Sequence, residues 1–144
     1  MDDEVSILDL TRDSLGIFGY QVDTARDGAE GVRLFREAKL SGRPFELVIM
    51  DLTVPGGLGG KEALRELQRI DPSVCAVVSS GYSHDPVLAN FGDFGFSGVV
   101  VKPYRIDALG QVVSQVIAEH QERLSRPHQE SSPSGQAFRG QIPE

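Results

Sequence analysis

The chain has 144 residues, 40% hydrophobic and 24% charged, the proportions of one ordinary globular domain large enough to bury a core. Its net charge of −7 argues against a nucleic-acid-binding surface, no apolar run approaches the ~20 residues of a membrane helix, and no secretory pattern opens the chain. The single cysteine, Cys75, excludes a disulfide framework and suits a reducing, cytoplasmic setting; inside an apolar run, it reads as core rather than as a nucleophile.

Val5 to Phe18 shows helical spacing, with Leu8, Thr11, Leu15 and Phe18 on one face and Gly19 as the stop. Gln21 to Ala25 reads as a short strand. Asp27 and Glu30 form a capping box for a helix to about Leu40, with Ala29, Val32, Phe35 and Ala38 as its apolar face. Phe45 to Met50 is a continuous apolar run, the pattern of a parallel strand covered on both faces. Lys61 to Ile70 is a helix ended by Asp71-Pro72. Cys75 to Ser80 and Gly98 to Val101 are two further buried strands. Between them Asp85 caps a helix opening at Pro86. Leu109, Val112, Val113, Val116 and Ile117 mark the face of the last helix. Residues 1–120 are expected to form the domain, and the polar, Ser- and Pro-rich residues 121–144 a disordered tail.

Alternating strands and helices imply a doubly wound parallel sheet, whose site lies beyond the carboxyl ends of the strands. Asp51, Ser80 and Lys102 all stand at such ends. Asp2 and Asp3 add two adjacent acids, and acids gathered with Asp51 need a counter-charge. Mg²⁺, held by one or two carboxylates plus water and phosphate oxygens, is the simplest. An Asp carboxylate can attack phosphorus to form an aspartyl phosphate; Mg²⁺ and Lys102 would neutralise the phosphoryl oxygens, and Ser80 would donate a hydrogen bond.

With DDE at the start, VIMD ending in Asp51, DLTVP, VVSSG holding Ser80, and VVVKPY holding Lys102 and Pro103, the sequence resembles the receiver domains of two-component response regulators over about residues 1–120. The PGGLGGKEAL variant is closest in style to the C-terminal receivers of hybrid sensor histidine kinases. The resemblance implies a flavodoxin-like α/β fold and a phosphorelay role, with Asp51 taking a phosphoryl group from a sensor histidine kinase or phosphotransfer protein. It implies Mg²⁺ held by Asp3, Asp51 and the Thr53 backbone carbonyl, with Asp2 acting directly or through water. Ser80 and Lys102 would contact the phosphoryl group, and the Lys102-Pro103 bond would be cis. It implies no direct nucleic-acid or membrane partner, and it is compatible with weak self-association.

The sequence departs from the family at two places. An aromatic residue usually stands three before the Lys, where this chain has Val99, so coupling through a rotating ring is in question. Receivers also open with an apolar strand leading into the acidic pair, whereas Met1 directly precedes Asp2. The expectation is a fold lacking its usual N-terminal strand, in a chain that is a fragment of a longer reading frame or whose start is placed too late. Two other functions stand beside the phosphoacceptor: a small-molecule phosphatase of the haloacid dehalogenase type, which Thr53 in place of a second Asp disfavours, and a receiver-like interaction module that takes no phosphate. The glycines around Leu58 read as a flexible turn, because Glu62 after Gly60-Lys61 breaks the phosphate-loop pattern. His84, His120 and His128 lack metal-ligand spacing.

Overall fold

The computed structural model describes residues 1–81 and 85–125. Five α-helices, α1 (Val5–Ile17), α2 (Gly28–Leu40), α3 (Gly60–Ile70), α4 (Pro86–Ala89) and α5 (Ile106–Ser125), surround three strands, β1 (Val48–Asp51), β2 (Ala76–Ser80) and β3 (Gly98–Val101). The strands form a parallel sheet in the order β1-β2-β3. Ile49 lies beside Val77 and Met50 beside Val78, and Val77 in turn lies beside Gly98. Neighbours in register point to the same side of a parallel sheet, and successive residues to opposite sides.

That alternation divides the core. Met50, Ala76 and Val78 pack with Val32 and Phe35 of α2, Ala63, Leu64 and Leu67 of α3, and Val87 of α4. Cys75, Val77 and Val100 pack with Leu15 of α1 and Leu109, Val113 and Val116 of α5. Helices therefore cover both faces, as the uninterrupted apolar strands require, and Cys75 is a core residue.

The expected elements are present with changed limits. Gln21 to Ala25 forms no strand: a strand is defined by its neighbour, and the backbone bond that joins this segment to another among the described residues runs from the Asp2 N–H to the Ala25 carbonyl, at 3.0 Å. Met1 completes the tie. Its amino nitrogen donates to the Ile49 carbonyl at 2.7 Å, and its own carbonyl accepts from the Asp51 N–H at 2.9 Å. Phe45 to Leu47 stays outside β1. Asp27 accepts from the Glu30 N–H, but the Glu30 carboxylate returns to Arg26 rather than to Asp27. The buried stripe of α2 runs through Gly28, Val32 and Phe35, and Ala29 is exposed.

The limit at 120 needs correction. Helix α5 continues through residues 121–125, because Gln121, Glu122, Arg123 and Leu124 are good helix formers extending a helix already nucleated. The rest of the expected tail, 126–144, lies outside the described residues, as do His84 and His128.

Candidate functional site

The site is built at the carboxyl ends of the strands. Asp51 is the last residue of β1 and only 5% exposed; Asp2, just beyond Met1, is 3% exposed. Lys102 follows β3, and its N–H donates to the Ser80 carbonyl at 2.9 Å, carrying the pairing one residue past the strand. The Lys102 ammonium nitrogen lies 2.6 Å from Asp2 Oδ2, 3.3 Å from Asp51 Oδ2 and 3.9 Å from Glu4 Oε1. The Lys102-Pro103 bond is cis.

The two buried acids are held differently. Asp2 Oδ1 accepts from the Glu4 N–H at 2.9 Å and so fixes the entry to α1, whose cap residue supplies no side-chain bond of its own. Asp2 Oδ2 is buried, and the group that faces it is the Lys102 ammonium, 2.6 Å away. Burial raises the pKa of Asp51 and the Asp2 charge raises it further, against the opposing pull of Lys102 and the Thr53 N–H. Burial alone would lower Lys102; Asp2 and Asp51 outweigh it, and the ammonium is held above its ordinary value.

Asp3 is exposed, yet Asp2, Asp3 and Asp51 each offer a carboxylate oxygen, all within 4.8 Å of one another. Three carboxylates face one ammonium. A hard divalent cation such as Mg²⁺ suits this all-oxygen set. The Thr53 backbone acts on the Asp51 carboxylate, lowering its pKa against the effect of burial. Ser80 is buried at the end of β2, and alternation turns its side chain to the face opposite Ser79.

The loop after Asp51 is not simply loose. Gly56 has φ +74°, a conformation that suits glycine. Gly59 and Gly60 serve another need: a Cβ on Gly59 would lie 2.6 Å from the Leu52 carbonyl oxygen, and one on Gly60 2.9 Å from that of Asp51. These glycines let the start of α3 close against the backbone carrying the acid.

Two residues were missed by sequence reasoning. Ser79 is the register partner of Asp51 on β2, so both side chains leave the same face. Its hydroxyl bonds to the Tyr104 hydroxyl, and burial raises the Tyr104 pKa. The signal was present in the doubled serine of VVSS and in the Tyr that ends VVVKPY.

Comparison with known proteins agrees with the fold. The family model for the response regulator receiver domain matches residues 1–114. The chain is 28% identical over 119 residues to the transcriptional regulatory protein GlrR of Escherichia coli, covering 83% of this chain and 26% of that one. It is 26% identical to the chemotaxis protein CheY of Thermotoga maritima over 81% of this chain and 92% of that one. A crystal structure of a response regulator receiver domain protein from Clostridium thermocellum superposes with TM-score 0.73 at 28% identity, covering 83% of this chain and 92% of the other. The chain spans about a quarter of GlrR's length, so its likeness to that regulator concerns one domain. No helix among the described residues is long and apolar enough to cross a membrane. The chain belongs to the response regulator receiver family of two-component systems.

Proposed function

We propose that this receiver takes a phosphoryl group onto Asp51 from a phosphohistidine of a sensor histidine kinase or phosphotransfer protein. The observation that carries the reading is Lys102, whose ammonium stands against both buried carboxylates, 2.6 Å from Asp2 and 3.3 Å from Asp51. An Asp51 oxygen attacks phosphorus. The bond from phosphorus to the imidazole nitrogen breaks, its electron pair stays on that nitrogen, and an acyl phosphate forms. Lys102 moves its contact from the Asp51 carboxylate to an oxygen of the arriving group, and the Ser80 hydroxyl donates to another. Asp2, Asp3, Asp51 and the Thr53 carbonyl would hold Mg²⁺, which when bound supplies the charge neutralisation that phosphoryl transfer chiefly requires. Water later attacks the acyl phosphate and restores Asp51. The domain is thus a phosphoacceptor with self-dephosphorylation, not a turnover enzyme. A reducing, cytoplasmic setting suits its lone buried thiol.

The test is intact mass after incubation with acetyl phosphate, with and without Mg²⁺, on wild type and Asp51→Asn. One Mg²⁺-dependent phosphoryl adduct, absent from the variant, is expected. No adduct on the wild type would overturn the reading in favour of an interaction module that takes no phosphate; steady hydrolysis of p-nitrophenyl phosphate would favour a phosphatase.

A further inference from the structure

Lys102 does its work from a short connector, since only residues 102–105 separate β3 from α5. The ends of the connector are tied by backbone bonds, from the Lys102 N–H to Ser80 and from the Leu109 N–H to Arg105. Between those ties a side chain, that of Tyr104, makes a hydrogen bond: its hydroxyl meets Ser79. Ser79 lies beside Asp51 on the neighbouring strand and is 1% exposed. The connector is therefore pinned to the residue flanking the acid that Lys102 contacts. Tyr104 packs against the cluster of Val100 and Leu109 and also borders an open cavity of about 200 Å³ that Val99, Val101 and Ala108 line. Packing holds the inner side of the ring, and the hydroxyl bond to Ser79 holds its tip.

We propose that Tyr104 is a positioning residue: its bond to Ser79 fixes the connector so that the Lys102 ammonium stays between Asp2 and Asp51. This rests on the phosphoacceptor reading for its consequence but not for its test, because the position of Lys102 is readable without any phosphodonor. The chain has three lysines, Lys39, Lys61 and Lys102. After ¹³Cε labelling of lysine, the Lys102 signal is the one missing from Lys102→Ala. In wild type its two ε protons are expected to have separate shifts, the mark of a fixed side chain. In Tyr104→Phe, which keeps the ring, and in Ser79→Ala, they are expected to merge. Phosphoryl loading from acetyl phosphate should slow about tenfold in each variant, well inside the range that a displaced catalytic group produces, and the double variant should be no slower than either single one.

A role in packing alone would lower stability and leave the ε protons distinct. Separate ε shifts retained in Tyr104→Phe, or merged shifts already in wild type, would overturn the proposal. Absence of loading in wild type would instead strike the phosphoacceptor reading and leave the Lys102 comparison to decide this one.

Discussion

The two halves of β2 are equally buried and do opposite things. Ala76, Val77 and Val78 are 0% exposed, and Ser79 and Ser80 are 1% and 3%. The amino half lies between apolar helices on both faces, where removal from water is favourable in itself. The carboxyl half lies beside Asp51 and Lys102, where burial raises the Asp51 pKa. One strand thus carries the part that stabilises the domain and the part whose burial costs stability. The rim is tolerated because the apolar half holds the backbone under it.

Truncation in the apolar half should have the largest effect on stability. Leu67 of α3 is 1% exposed and packs in the cluster with Met50, Ala76 and Val78. Leu67→Ala removes that side chain and leaves a void that its rigid neighbours cannot fill. A loss of about 2–5 kcal/mol is expected, read as a lower midpoint in urea with an unchanged slope. A loss well below that range would show the cluster to be loosely packed and would break the contrast.

At the rim the sign reverses. The folded pKa of Asp51 is raised above its ordinary value of 3.8, so the folded state binds this proton more tightly than the unfolded chain does. That contribution is present in full below the unfolded value and is lost as pH rises through the folded one. At neutral pH the ionised Asp51 therefore opposes folding. Asp51→Asn should melt higher than wild type at pH 7, and the gap should close as pH falls toward the ordinary value. Mg²⁺ should raise the wild-type melting point by occupying the folded state only and should raise that of Asp51→Asn less. A variant that melts lower at pH 7 would mean that the contact with Lys102 outweighs the burial of the acid.

How much of this was legible in the sequence follows from what each feature depends on. Gly98 to Val101 was read with its true limits because an apolar run bounded by Gly and Lys needs no partner to be recognised. Asp51 and Lys102 were legible for a similar reason, since strand ends in an alternating fold converge on one rim. Gln21 to Ala25 has a strand's composition but lacks the neighbour, and pairing is a property of two segments. Ser79 was not singled out beside Ser80 because only the register shows that it is the neighbour of Asp51. Tyr104 was hidden likewise: its partner is 25 residues away. The glycines after Pro55 looked like freedom, but two of them permit close approach.

The smallest expected effect tests whether charge or burial makes the rim consequential. Arg33 on α2 contacts Glu37 at 3.1 Å and Glu30 at 3.8 Å, a cluster with as many partners as Lys102 has among the buried acids. Its side chain is 55% exposed, against 14% for Lys102. Water and salt screen such a cluster, and exposed pairs contribute at most about 0.2–1 kcal/mol. The order also works against it, because Glu ahead of the cation at i, i+4 is the better arrangement, whereas here Arg33 precedes Glu37. Arg33→Ala should change stability by no more than about 0.5 kcal/mol, and added salt should erase the difference. It should leave phosphoryl loading and its Mg²⁺ dependence untouched. A larger, salt-resistant loss would place the surface of α2 in the same electrostatic system as the rim, and burial would no longer separate the two.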